Sequence, residues 1–304
     1  MRGEPFVFLT RALIAAVCAL SVAACRGDAS RTSVAAASVD RDDYGDTIRV
    51  TAPATRIVSL SPVTTEILFA IGAGDRVVGR THWDTYPAAA RAVPDLGNGM
   101  QPNVEAILAT RPDLVVLYGS PSNRAAALQL RRAGIATIAV RTDHVSDFRR
   151  ATTWIARAIG DSAAGAVVSD SVEHSIAAAS IAAPAGTGPT VLWHLWDAPV
   201  MTIGRGSYMS ELVAAAGGRN LFDDLEAPSP QVTIEEIVRR NPDYVIAGPS
   251  GAESIRQKGA WQAIPAVRAG RILIVDTALV SRPGVRMGEA VRHLRTLLHP
   301  DGRR

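Results

Sequence analysis

The sequence predicts an α/β protein made of two Rossmann-like lobes with mostly parallel sheets, joined by a single long α-helix. Three observations predict it. The first is an internal repeat. Gln101-Pro-Asn-Val-Glu-Ala-Ile-Leu-Ala-Thr-Arg-Pro-Asp-Leu-Val-Val116 returns 130 residues later as Gln231-Val-Thr-Ile-Glu-Glu-Ile-Val-Arg-Arg-Asn-Pro-Asp-Tyr-Val-Ile246. At that offset Gln101, Glu105, Ile107, Pro112, Asp113 and Val115 meet Gln231, Glu235, Ile237, Pro242, Asp243 and Val245. Each copy reads as a capped helix, a Pro-Asp turn and an apolar strand. The second is an alternation of short apolar strands with helical patterns, which implies helix-covered parallel sheets. The third is a long glycine-poor helical stretch between the two halves. A chain of 304 residues is long enough for two domains of ordinary size.

The elements follow in order. Arg56-Ile-Val-Ser-Leu60 is a strand, and Ser61-Pro-Val-Thr-Thr-Glu66 starts a helix with Pro62 in the first turn, where its missing N–H costs nothing. Gly72 and Gly74 stop that helix, Arg76-Val-Val-Gly79 is a second strand, and Thr81-His-Trp-Asp-Thr-Tyr-Pro87 is an aromatic-rich loop. After the first repeat copy come a helix over 123–133, closed by Gly134, and a strand over 135–140. From Asp143 to about Ala179, apolar residues recur at helical spacing, so one long helix is expected, bent near Gly160–Gly165. Pro184 to Pro189 is a loop. The second half opens with strands over 190–195 and 200–203 around a Trp196-Asp-Ala-Pro199 turn, then a helix over 208–216. The second repeat copy, a helix near 253–257, a strand over 271–276 and a helix over 288–298 complete it. The lobes are therefore expected at 47–142 and 184–304, with the connecting helix at 143–183.

The N-terminus differs in kind. Arg2 and Arg11 precede the apolar run Ala12 to Leu20, and Ser21-Val-Ala-Ala-Cys25 follows. This is the pattern of a signal peptide over 1–24, too short to span a bilayer. Val22-Ala-Ala-Cys25 resembles a bacterial lipobox, which would lipidate Cys25; plain cleavage near Ala24 is the alternative. Residues 26–46 are Ala/Ser/Asp-rich without periodicity, so 25–46 is expected to be a lipidated start and flexible tether.

Composition narrows the function. The formal charge is +3, and no run of five or six like charges appears, so neither a nucleic-acid groove nor a polybasic membrane patch is supported. There is no Gly-x-Ser-x-Gly elbow, His-Glu-x-x-His helix, phosphate loop or complete dinucleotide fingerprint, and nothing pairs a nucleophile with a base, so an exported enzyme is the weaker class. His82, His144 and His194 are candidate ligands for a metal or an axial position, but they lack a short paired spacing, and scattered surface histidines are the commoner explanation. Asn103 and Thr233 are natural N-caps that place Glu105 and Glu235 at the second helical position, facing the positive helix end. Thr233 and Glu236 form a capping-box pattern, which leaves Glu235 spare. The bland alternative is that both glutamates only favour their own helices, by about 0.3–1 kcal/mol.

Arg56-Ile-Val-Ser-Leu-Ser-Pro-Val-Thr-Thr-Glu66, the Pro-Asp-Leu-Val116 segment, Met201-Thr-Ile-Gly-Arg-Gly206 with Ala216-Gly-Gly-Arg-Asn220, and Pro230-Gln-Val-Thr-Ile-Glu235 resemble the periplasmic binding proteins of ABC importers for vitamin B12 and iron chelates. The resemblance covers roughly 48–298. It implies an extracytoplasmic, membrane-anchored solute-binding lipoprotein, monomeric and without a cofactor, that performs no chemistry. Cargo would sit between the lobes and pass to a permease dimer with its ATPase. In the family one glutamate per lobe docks on permease arginines; by motif these are Glu105 and Glu235. Ser61, Pro62, Trp83, Tyr86, Trp196 and Arg205 fall at or near predicted strand ends, where open α/β sheets bind ligands. Exposed aromatics there suit a flat, partly apolar corrin or porphyrin. Trp193, inside an apolar strand, reads equally well as core. A corrinoid is the expected cargo, with a ferric siderophore or haem as the alternative.

Overall fold

The structure, a computed structural model, describes residues 40–181 and 186–300. The signal peptide, Cys25 and the tether as far as residue 39 lie outside the described residues, as does part of the loop at 182–185.

The first lobe is a parallel sheet of β1 (Ile57–Leu60), β2 (Val77–Gly79), β3 (Leu114–Tyr118) and β4 (Ala136–Val140), in the order β2-β1-β3-β4. The second holds β5 (Thr190–Trp193), then a small antiparallel hairpin of β6 (Trp196–Asp197) and β7 (Val200–Met201). Its parallel sheet is completed by β8 (Arg219–Asn220), β9 (Tyr244–Ala247) and β10 (Ile272–Ile274), in the order β10-β9-β5-β8. Counted by sequence within each lobe, both sheets run second-first-third-fourth. The two lobes thus share one topology. Central strands such as Ile57-Val-Ser-Leu60 are buried along their whole length, as apolar runs covered on both faces must be. Trp193 is among these buried residues, so it belongs to the core.

The repeat is equally close in detail. In the first lobe α1 (Pro62–Ala70) is followed by α2 (Val104–Ala109), the first repeat helix, and α3 (Arg124–Arg132). The second repeat helix spans Ile234–Arg240. From Gln101 to Thr110 and from Gln231 to Arg240 the sequence of exposed, half-buried and buried positions is identical. Asn103 caps the first copy by accepting the Ala106 N–H, and Thr233 caps the second by accepting the Glu236 N–H. Arg111 and Asn241, equivalent residues, both turn the chain at positive φ, 49° and 50°. Asp113 accepts the Thr55 N–H and hydroxyl, both at 2.8 Å; Asp243 accepts the same two groups of Thr190, both at 2.7 Å. In each lobe one carboxylate therefore pins the third strand to the start of the first.

The connection divides where one bent helix was expected. α4 (Asp147–Ile159) ends at Gly160, which adopts φ 81°, and α5 (Ser162–Ala179) begins after Asp161, whose side chain accepts the Ala164 N–H. A glycine in the left-handed region followed by a good N-cap stops one helix and starts another. The two run antiparallel: Arg149 on α4 pairs with Asp170 and Glu173 on α5, both at 2.6 Å. Their backbones approach so closely that a Cβ on Gly165 would lie 2.4 Å from the Ala156 Cβ. α4 covers the first lobe, so α5 alone makes the crossing, a rod of about 27 Å at 1.5 Å per residue. In the second lobe α6 (Tyr208–Ala215), α7 (Ile234–Arg240), α8 (Pro249–Gln257), α9 (Pro265–Arg268), α10 (Thr277–Val280) and α11 (Met287–Leu298) follow, and α11 packs on α5.

The last residues of the expected tether are held against the first lobe. Residues 40–46 are not free: buried Asp42 pairs with Arg131 at 2.5 Å and accepts the Ala139 N–H at 3.1 Å, while Asp43 accepts the Arg141 N–H. Among the described residues no helix is long and apolar enough to cross a membrane.

Candidate functional site

In both sheets the helices run antiparallel to the strands, so the C-terminal strand ends gather at one edge of each lobe. Those edges face each other across a cleft. A cavity of about 420 Å³ there is lined by Ser61, Pro62, Val63 and Trp83 from the first lobe and by Thr277, Ala278, Ser281 and Arg282 from the second. Two larger hollows lie elsewhere. One of about 950 Å³ runs beneath the 41–54 arm at the opposite strand ends, and one of about 540 Å³ contains Arg205, Ser210, Glu211 and Arg219.

The aromatic wall is set on a buried polar post. Asp84, fully buried, lies 2.5 Å from the Thr65 hydroxyl, and accepts the Thr81 hydroxyl and the Thr81 N–H. Thr65 in turn lies 2.8 Å from Ser59 Oγ, at the end of β1. Burial pushes the Asp84 carboxyl up, and these hydrogen bonds oppose that shift. The loop thereby holds Trp83 and Tyr86 outward at 56% and 38% exposure, high for such large apolar side chains. His82 lies against Trp83 with ring centroids 4.4 Å apart, and the Arg286 guanidinium stacks 4.0 Å over the Tyr86 ring.

Of the residues expected at the cargo site, Ser61, Pro62 and Trp83 line the cleft, and Tyr86 stands beside them. Trp196, 63% exposed, is not in the lining; it occupies β6, in the separate hairpin that follows β5, and β5 itself lies two strands from β10. Its neighbour Asp197 fixes the hairpin by meeting Ser254 at 2.6 Å, His194 at 3.0 Å and Lys258 at 3.1 Å. Burial alone would raise the Asp197 carboxyl; those partners outweigh it and hold it down at about 2. Arg205 lies apart from these residues. It lies in the separate 540 Å³ hollow and pairs with Glu226. Glycines flanking it pack on the 225–228 backbone, where a Cβ would clash. Sequence reasoning missed Thr277, Ser281 and Arg282; the signal was their position just after the fourth strand of the second lobe. The histidines do not converge. His144 bonds Glu211 at 2.7 Å, His194 is buried against Trp261, and the described residues contain no metal-binding cluster.

Glu105 and Glu235 are both exposed in the first turns of their repeat helices. The capping box expected between Thr233 and Glu236 is only half formed: Thr233 accepts the Glu236 N–H. Glu236 does not close a capping box; its carboxylate meets Arg239 and Arg240, both at 2.6 Å. Glu235 is held below the usual carboxylate range by its own backbone N–H and the Thr233 hydroxyl.

Residues 57–279 match the family model for periplasmic binding proteins. The chain belongs to this family. An uncharacterised ABC transporter substrate-binding lipoprotein of Bacillus subtilis (strain 168) is 30% identical over 280 residues, covering 89% of this chain and 88% of that one. A vitamin B12-binding protein of Vibrio cholerae is 26% identical over 249 residues, covering 81% and 90%. Among solved structures, the apo periplasmic heme-binding protein of Roseiflexus sp. RS-1 superposes with a TM-score of 0.72 at 27% identity, covering 83% of this chain and all of that one. This periplasmic binding protein is accordingly an extracytoplasmic substrate-binding component of an ABC transporter, working with a permease and ATPase. Its relatives are substrate-binding proteins rather than enzymes.

Proposed function

We propose that this protein captures a corrinoid between its lobes and delivers it to its permease by docking through Glu105 and Glu235. The observation that carries the reading is the outward-held Trp83 at a cleft walled by both lobes, an apolar plate suited to a flat macrocycle. Ser61, Pro62 and Tyr86 complete that wall, and Trp196, exposed on the separate β6–β7 hairpin, is proposed as a further contact. The similarity to a vitamin B12-binding protein points the same way. Cys25 is proposed as the lipid attachment point of a monomeric, membrane-tethered chain; Cys25→Ser should move the protein from the membrane to the soluble fraction.

A second reading, heme or another ferric chelate, draws on Tyr86: a rim phenol beside a cation is an oxygen donor suited to ferric iron. Titration of the purified chain, followed by tryptophan fluorescence, with cyanocobalamin, cobinamide, hemin and a ferric siderophore distinguishes them. Saturable one-to-one binding of a corrinoid is expected. Saturation by hemin or the siderophore alone would establish the second reading, and no saturation by any would end both.

A further inference from the structure

We propose that Glu66 is a positioning residue of the cleft: from the first lobe it clasps the Gly284-Val285-Arg286 turn of the second, and so sets the distance between the aromatic wall and the wall opposite. Glu66 stands on α1 yet accepts its hydrogen bond from the other lobe, from the Val285 N–H at 3.2 Å. Its second oxygen faces Arg286 Nη2 at 3.5 Å. The carboxylate is 1% exposed, and a charge so deeply buried persists only with a partner. Both of those partners lie more than 200 residues along the chain, in the opposite lobe. Gly284 is what allows the approach, because a Cβ there would lie 2.2 Å from Glu66 Oε2.

The clasp reaches the cargo wall by two routes. Arg286, held by Glu66 and by the Ala278 carbonyl at 2.8 Å, is the guanidinium stacked on Tyr86. Arg282, in the same segment, donates to the Trp83 carbonyl and the Thr85 hydroxyl. One stretch of the second lobe thus holds both ends of the 83–86 loop, and Glu66 holds that stretch. Neither Glu66 Oε1 nor Arg286 Nε has a hydrogen-bond partner among the described residues, so the hold depends on charge pairing more than on a saturated network. Removing the carboxylate should free the lobes to sample wider spacings without touching any residue of the cargo surface.

The inference deepens the cargo reading, so its first test omits cargo. The only cysteines are Cys18 and Cys25. With both changed to serine, the full chain accepts a spin-label pair at exposed Gln129 on α3 and Gln257 on α8, introduced as Gln129→Cys and Gln257→Cys. The inter-lobe distance distribution should be narrow in that parent and broaden in Glu66→Ala and in Gly284→Ala, which attack the clasp from opposite sides. Arg282→Ala, at the half-exposed rim, is a third variant that spares the buried pair. An unchanged width in any folded variant of the three overturns the proposal. Where a cargo has been identified, Glu66→Ala should weaken its apparent affinity roughly tenfold if the competent spacing falls to about a tenth of the population. Broadening without a known cargo would sustain the clasp while leaving the corrinoid reading to fail separately.

Discussion

Gly165→Ala offers a direct test of how the helical connection is built. Two effects oppose each other. Alanine is favoured over glycine inside a helix by about 1 kcal/mol, and Gly165 sits in the first turn of α5. Against that, the new methyl would lie 2.4 Å from the Ala156 Cβ and 3.5 Å from the Thr152 carbonyl oxygen. Ordinary contact begins near 3.4 Å, so α4 and α5 must separate by about 1 Å. The Ala156 methyl has no rotamer through which to withdraw, and such overpacking costs about 1–3 kcal/mol. The clash wins, and a net loss of about 1 kcal/mol is expected, lowering Tm by about 2–4 °C for a domain of this size. Urea and thermal unfolding of the purified chain measure it. Ala156→Gly restores the gap, so the double variant should exceed the sum of its parts by roughly 1 kcal/mol of coupling. A rise in Tm for Gly165→Ala, or strict additivity in the double variant, would refute the close-approach argument.

Other outcomes follow from the same geometry. Glu105→Ala combined with Glu235→Ala should leave cargo binding unchanged and abolish uptake in cells; uptake at the parental rate removes the docking assignment. Trp83→Ala should weaken cargo binding by about 2 kcal/mol, or some thirtyfold, as loss of a buried aromatic anchor does, with an unchanged Tm. Asp197 has a depressed carboxyl, at about 2 against the usual 3.8. Its contribution is therefore fully present above pH 4 and lost as pH falls through about 2. Asp197→Asn should lose on the order of 2 kcal/mol at neutral pH and show a flatter acid limb in denaturation. A parallel acid limb in parent and variant would exclude it.

The parts of this fold that announce themselves in sequence are those whose partners are near in the chain. Asn103, Thr233 and the Pro-Asp turns act within a few residues, so both repeat helices and their strands were legible. The break between α4 and α5 was less so. Gly160 and Gly165 lie in an Ala-rich run that reads as continuous helix, though Asp161 was an N-cap signal in plain view. At Glu236 the pattern gave the right cap but not the reciprocal carboxylate bond, because Arg239 and Arg240 compete for Glu236 from the same helix. Asp42 looked like tether until Arg131 and Ala139 supplied its partners. Glu66, Arg282 and Arg286 were not legible as a group, since only the folding together of the two lobes brings them into contact. Arg205 follows a strand as the pattern indicates, but it lines a different hollow and pairs with Glu226.

The direction of the helices relative to the strands has one more consequence. α2 and α7 each run away from the cleft edge of their sheet, so their first turns, with Glu105 and Glu235, lie on the same side of the molecule as Trp83 and the β6–β7 hairpin; Val232 donates to the Val200 carbonyl at 3.0 Å within that hairpin region. Any partner that grips both carboxylates therefore forms a roof over the mouth. Such a roof would bring the partner's surface over the cavity lined by Trp83 and Arg282.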